Sequence, residues 1–205
     1  MKLWILCCGE AEMNWRERYD ASGYEAACRQ ALESAPAPLS VKPMQANGRP
    51  VYVSRHRLCR DTARQLYPEA ELRETALLDE ALPRREGAAQ APLWLWRRRR
   101  GLRGQDRKAA VERCEAMIAE LEKSDDDAVL VSHPILITQL LDRLRIHGYC
   151  INRGEYGAVK PLERILITRR DMHCGGCSHN CFLSNPGCGI GEDKAARVRM
   201  SGKSE

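Results

Sequence analysis

The stretch Leu3-Trp4-Ile5-Leu6-Cys7-Cys8-Gly9-Glu10-Ala11-Glu12-Met13-Asn14 constrains the fold more than any other part of the chain. It opens as a short apolar run, stops at Gly9 and continues polar. That pattern predicts a parallel strand buried on both faces and running into a functional loop. Ligands of open α/β sheets lie outside the carboxyl ends of the strands. Cys7, Cys8, Gly9 and Asn14 are therefore expected at the mouth of any site.

The chain has 205 residues, enough for one α/β domain with a small appendage. No apolar run is long enough to span a membrane. The N-terminus carries one Lys and then a strand, without a small-residue cleavage site, so no signal peptide is read and a cytoplasmic protein without membrane association is expected. The net charge of +5 leans on the run Arg97 to Arg100 with Arg103 and Arg107. Such a mild balance suits anionic ligands and does not by itself indicate nucleic acid. The arginine run reads either as an anion-binding lid or nucleic-acid patch, or as a solvated flank of a helix. Trp94 and Trp96 beside it read as apolar anchors.

Along the chain, Tyr24, Ala27, Cys28, Ala31 and Leu32 recur at helical spacing and predict a helix over 23–34, ended by Pro36 and Pro38. Val51 to Ser54 reads as a strand, and 57–67 as a helix stopped by Pro68. Residues 71–82 form a third element. Ala110, Val111, Cys114, Met117, Ile118 and Leu121 define one face of a helix over 105–123. Ala128 to Ser132 is a core strand with His133 at its carboxyl end, and 135–147 a helix whose first turn accommodates Pro134.

Several of these segments together resemble the histidine phosphatase (phosphoglycerate mutase-like) superfamily, over residues 2–170. Its first motif is an apolar strand, Arg-His-Gly-Glu-Thr, two residues and Asn. Gly9, Glu10 and Asn14 fall in register, with Cys7 at the Arg position and Cys8 at that of the nucleophilic His. In the second unit Ser54, Thr62 and Ala63 match, and Leu58 occupies a clamp Arg position flanked by Arg57 and Arg60. Leu77-Leu78-Asp79-Glu80 resembles the segment that carries the family's acid, which the resemblance assigns to Glu80. Val129 to His133 resembles the strand ending in Ser-His-Gly, with Pro134 in place of Gly, and residues 157–170 resemble the family's closing strands, most clearly Leu162 to Thr168. The resemblance implies an α/β three-layer sandwich with a mostly parallel central sheet and helices on both faces. It also implies catalytic positions at His133, Cys8 and Glu80, and a phosphate pocket from Cys7, Gly9, Asn14, Arg57 and Arg60.

After Arg170 the composition changes. Cys174, Cys177, Cys181 and Cys188, four of ten cysteines, follow the spacing C-x2-C-x3-C-x6-C. Clustered cysteines in a cytosolic chain point to metal ligation rather than disulfides. Four thiolates close a tetrahedral zinc site or hold an iron–sulfur cluster, and zinc is the commoner structural choice. Metal would also supply folding free energy that so few apolar residues cannot. Unliganded thiols in a tail remain the alternative. The expected organisation is an α/β domain over 1–170, a metal-bound segment over 171–192 and a frayed end over 193–205.

Phosphoryl transfer works by aiming positive charge at the equatorial oxygens. Exchanging two arginines for Cys7 and Leu58, and the nucleophile for Cys8, should abolish the family reaction. The leading expectation is a catalytically impaired binding module for a phosphorylated small molecule or a protein partner, with nucleic acid disfavoured. A rebuilt phosphomonoesterase using Cys8 and His133 is the second reading, since a cysteine made thiolate by positive surroundings can be a nucleophile. A redox or metal role for Cys7, Cys8 and the tail cysteines is the third.

Overall fold

The computed structural model describes residues 1–82, 84–87, 89–98, 101–153 and 157–169. The tail cysteines, and with them the expected metal segment, lie outside this set.

A six-stranded sheet forms the middle layer, in the order β4-β3-β6-β1-β8-β7. Its members are β1 (Lys2–Cys7), β3 (Val51–Ser54), β4 (Leu72–Thr75), β6 (Ala128–Ser132), β7 (Tyr149–Asn152) and β8 (Arg164–Arg169). β1 pairs in parallel with β6, β6 with β3, and β3 with β4, while β8 runs antiparallel to both β1 and β7. A two-stranded ribbon of β2 (Arg18–Tyr19) and β5 (Ala91–Pro92) stands apart. The helices are α1 (Ala21–Leu32), α2 (Arg57–Leu66), α3 (Leu93–Arg98), α4 (Gly104–Ser124) and α5 (Pro134–Ile146).

The central strands carry apolar side chains at nearly every position because both faces are covered. Strand alternation splits them. Leu3, Ile5, Cys7 and Leu130 pack with Met117, Ile118 and Leu121 of α4 and Leu136 and Leu140 of α5. Leu6, Cys8, Val53, Val129 and Val131 pack with Leu58, Cys59, Ala63 and Leu66 of α2. The three-layer α/β expectation describes this domain. No described helix is long and apolar enough to cross a membrane.

The element limits differ from the sequence expectation where local chemistry intervenes. α1 starts at Ala21 rather than Gly23 because the Asp20 carboxylate accepts a hydrogen bond from Gly23 N at 2.7 Å and caps the helix there. Residues 71–82 split into β4 and a single 3-10 turn, Ala76–Leu78, whose start is capped by Thr75. β8 begins at Arg164, after Leu162 takes a left-handed conformation (φ +59°) and sends its N–H to Cys7 O at 3.2 Å. Of the two tryptophans expected as anchors, only Trp96 docks. It stacks on Tyr24 with centroids 5.4 Å apart and donates its indole N–H to Tyr19 O at 2.9 Å. Trp94 is 63% exposed, since it lies on the opposite side of the short α3.

Candidate active site

The carboxyl ends of β1, β3 and β6 converge with the first turns of α2 and α5. β1 delivers Cys8, β3 delivers Ser54, and β6 delivers His133, which caps α5 with its backbone in extended conformation. Cys59 arrives on the first turn of α2, where side chains lean back toward the strand that precedes the helix. All four are buried.

Their polar atoms touch. Cys8 Sγ lies 3.3 Å from His133 Nδ1, Cys59 Sγ 3.3 Å from His133 Nε2, and Ser54 Oγ 3.2 Å from the same Nε2. Ser54 Oγ is also 3.0 Å from Asp79 Oδ1 and accepts from His56 N at 3.3 Å. A hydroxyl has one proton, and the carboxylate can only accept, so Ser54 donates to Asp79 and must accept from His133. The imidazole therefore carries its proton on Nε2, and the Nδ1 lone pair faces the Cys8 thiol.

Asp79 is held from several sides. Arg55 N donates to Oδ1 at 2.9 Å, and the Arg55 guanidinium binds Oδ2 through Nε at 2.9 Å and an Nη at 2.7 Å. Burial pushes the Asp79 carboxyl up, but the hydrogen bonds from Arg55 and Ser54 outweigh it and hold the group below its ordinary range. Arg113 pins the same loop by donating to Asp79 O at 2.8 Å.

His133 is neutral. Burial drives its pKa down to about 3, His56 adds to that, and Asp79 offsets only part. The His56 ring meets it edge-on with centroids 5.3 Å apart and bonds Glu33 through Nδ1 at 2.9 Å. The thiols are neutral too. The hydrogen bond with Cys59 and burial keep Cys8 well above the usual thiol value, burial raises Cys59, and contact with Cys8 plus burial raises Cys7.

A cleft of about 360 Å³ opens above this cluster. Cys7, Cys8, Gly9 and His133 lie at it, and its wall includes Trp15, Tyr24, Leu58, Arg97, Glu10 and Glu80. Arg97 sits over the Trp15 ring, 5.1 Å from its centroid. Asn14 is exposed and does not line the cleft.

Arg57 and Arg60 are not turned to the cleft: Arg57 pairs with Asp61 one helical turn on at 3.1 Å, and Arg60 with Glu74 at 3.4 Å. Both project from the outer side of α2, because the inner side carries Leu58, Cys59, Thr62 and Ala63. Glu80 reaches the cleft wall but spends its carboxylate on α5, accepting from Leu136 N at 3.0 Å and Ile135 N at 3.4 Å. It serves there as the cap that His133 does not provide.

Cys59, Asp79 and His56 were not assigned by sequence. The available signal was the position of Cys59, three residues into a helix that follows a buried strand.

No family model matches the chain, and no curated protein does. Solved structures of similar course do exist. They include an alpha-ribazole phosphatase from Shigella flexneri, 16% identical, with TM-score 0.48 over 82% of this chain and 90% of that one. A putative alpha-ribazole-5'-P phosphatase from Escherichia coli is also 16% identical, with TM-score 0.46 and the same coverage. A mycobacterial glucosyl-3-phosphoglycerate phosphatase in complex with VO3 is 18% identical, with TM-score 0.45 over 82% of this chain and 92% of that one. These neighbours are histidine phosphatase superfamily members. Likeness at this level carries neither substrate nor chemistry to the chain, so the chemistry rests on the atoms at the cleft.

Proposed function

We propose that this chain uses a phosphatase-like cleft to bind a small organic anion without transferring its phosphoryl group. One observation carries the reading: the base of the cleft is lined by a neutral imidazole, His133, and two neutral thiols, Cys7 and Cys8. A phosphoryl group in transfer needs converging cationic donors. Arg55, Arg57 and Arg60 are committed to Asp79, Asp61 and Glu74, leaving Arg97 as the guanidinium on the wall among the described residues. Glu10 and Glu80 on the same wall oppose a phosphate dianion. Trp15, Tyr24, Leu58 and Ile135 suit an apolar or aromatic body, with its single anionic group at Arg97.

The contact of 3.3 Å between Cys8 Sγ and His133 Nδ1 supports a second reading, a thiol–imidazole pair acting as nucleophile and base. Its ion-pair form requires Cys8 to lose a proton and His133 to gain one. Burial opposes both steps, which places this reading second.

Benzoate tests the first reading and phenyl phosphate the second. The reduced full-length chain should bind benzoate saturably, read by tryptophan fluorescence with Trp15 on the cleft wall, and release no inorganic phosphate from phenyl phosphate above buffer. Arg97→Ala should weaken binding by about tenfold, as expected for loss of a charge-assisted hydrogen bond. Phosphate release that disappears in both Cys8→Ser and His133→Ala would overturn the binding reading in favour of the second. The tail cysteines Cys174, Cys177, Cys181 and Cys188 are proposed, on their spacing alone, to hold zinc, with an iron–sulfur cluster as the alternative.

A further inference from the structure

Cys8, Cys59 and His133 offer two sulfurs and a ring nitrogen at one buried point. One ligand atom from each residue lies within 4.8 Å of those of the other two. On a tetrahedral zinc, with bonds of about 2.0–2.1 Å to nitrogen and 2.3 Å to sulfur, the N···S edge is about 3.5 Å and the S···S edge about 3.8 Å. The contact of Cys8 Sγ with His133 Nδ1, 3.3 Å, is already at that scale, whereas Cys59 Sγ lies 3.3 Å from Nε2, the other nitrogen of the same ring. An ion on Nδ1 therefore requires the Cys59 side chain to turn from Nε2 toward Cys8, a rotamer change.

The surroundings favour a metal in three ways. Ser54, tied to Asp79, receives the Nε2 proton of His133 and leaves the Nδ1 lone pair toward Cys8. A carboxylate acting through a second group to fix the tautomer is the support that metal-binding imidazoles generally have. The three donors also come from three separate elements, the end of β1, the first turn of α2 and the cap of α5, so the fold itself sets their separation. Charge balances as well, because two thiolates and a neutral imidazole cancel a divalent cation and the buried complex is neutral.

We propose that Cys8, Cys59 and His133 bind zinc through the two sulfurs and Nδ1, with the fourth position open to the cleft. Binding replaces two thiol protons with one metal ion: both S–H bonds break, two Zn–S bonds and one Zn–N bond form, and two protons pass to solvent. No electron is transferred. Three protein ligands and an open position are the composition of a reactive or ligand-accepting zinc site rather than a closed structural one. The binding reading above is that of the metal-free cleft; with zinc bound the Cys8 and Cys59 thiols become thiolates and the complex stays neutral overall.

The test separates this site from the tail. The full-length chain with Cys174, Cys177, Cys181 and Cys188 all changed to Ser is titrated with zinc and with cobalt(II) under a thiol-sparing reductant. One equivalent should bind. Cobalt should show thiolate-to-metal charge transfer and tetrahedral ligand-field bands, and zinc should raise the thermal midpoint. Adding Cys59→Ala, or separately Cys8→Ala, should weaken zinc more than tenfold and reduce the charge-transfer intensity. Ser54→Ala, which leaves all three ligands in place, should weaken it about tenfold. A four-Ser chain that takes up no zinc, shows no charge transfer and gains no thermal stability would overturn the proposal. So would undiminished binding in the folded Cys8→Ala and Cys59→Ala forms. Phenyl phosphate turnover is read separately, so neither result substitutes for the other.

Discussion

The buried His133 gives the domain a pH dependence whose size follows from the structure. In the folded chain the imidazole is held neutral with its pKa near about 3, whereas an unfolded histidine titrates near about 6.5. The folded pKa is the lower one, so below about pH 6.5 the unfolded chain binds a proton that the folded chain refuses, and stability falls as pH falls. At pH 5 the unfolded side gains about 2 kcal/mol from this one group, and at pH 7 almost nothing. The difference does not depend on the folded value so long as it lies well below 5. Carboxylates add little in this window, because their unfolded forms titrate near about 4. The assay is urea denaturation at pH 7 and pH 5 with chelator present, so that only protons compete for the ring. His133→Asn removes the titration and should cut the pH 7-to-5 loss by about 2 kcal/mol, whatever the substitution costs at pH 7. Equal losses in both chains would mean that His133 is hydrated and protonates in place, and the neutral-floor reading of the cleft would fail with it.

Other parts of the site give separable outcomes. Glu80→Ala strands Leu136 N and Ile135 N and removes a charge from the α5 N-terminus, so it should cost about 2 kcal/mol in denaturant unfolding; Glu80→Gln, which keeps an acceptor, should cost less than half of that, and a neutral Glu80→Ala would refute the capping role. Asp79→Ala leaves Ser54 Oγ and Arg55 N without their acceptor and should cost about 2–3 kcal/mol. Because the folded Asp79 carboxyl lies below its ordinary range, its contribution is fully present above about pH 4 and fades only as pH falls further, so the Asp79→Ala penalty measured at pH 7 should be unchanged at pH 5. Trp96→Ala should cost about 3–5 kcal/mol by emptying the contact with Tyr24, whereas Trp94→Ala should stay within about 0.5 kcal/mol, both read by chemical denaturation.

The strands that build the sheet were legible because burial on both faces leaves little room for polar residues: β3 and β6 appear as the short runs Val51 to Ser54 and Ala128 to Ser132. The apolar period of α4 was equally plain. Limits set by single hydrogen bonds were not, as the Asp20 cap and the left-handed Leu162 show. At the site, the matched pattern runs through Leu58 and its basic neighbours, and nothing in it marks Cys59, the next residue on. A turn of about 100° per residue puts Cys59 against His133 and leaves Arg57 and Arg60 to pair with acids along and beside α2. Asp79 was hidden for a different reason. Its role comes from the parallel pairing of β3 with β4, which sets the loop after β4 beside Ser54, and pairing of that kind leaves no local trace in sequence.

The adjacent cysteines of the first strand illustrate how topology reassigns a motif. Read along the chain, Cys7-Cys8 is a vicinal pair. In the fold the two thiols stay in contact but pack into different cores, Cys7 beneath α4 and α5, and Cys8 beneath α2. The partner that Cys8 acquires on its own side is Cys59, with His133 between them, and β3 supplies Ser54 to orient the ring. Four segments thus meet at one point because β1, β6 and β3 are parallel neighbours and end together. Such a point can be furnished with cationic donors for phosphate or with soft donors for a metal, but not readily with both, since guanidinium groups beside thiolates would repel the incoming cation. Here the guanidiniums of Arg55, Arg57 and Arg60 face acids outside the cluster, and sulfur and nitrogen remain inside it. That distribution of charge is what a zinc ion requires of its surroundings and what a phosphoryl group in transfer does not.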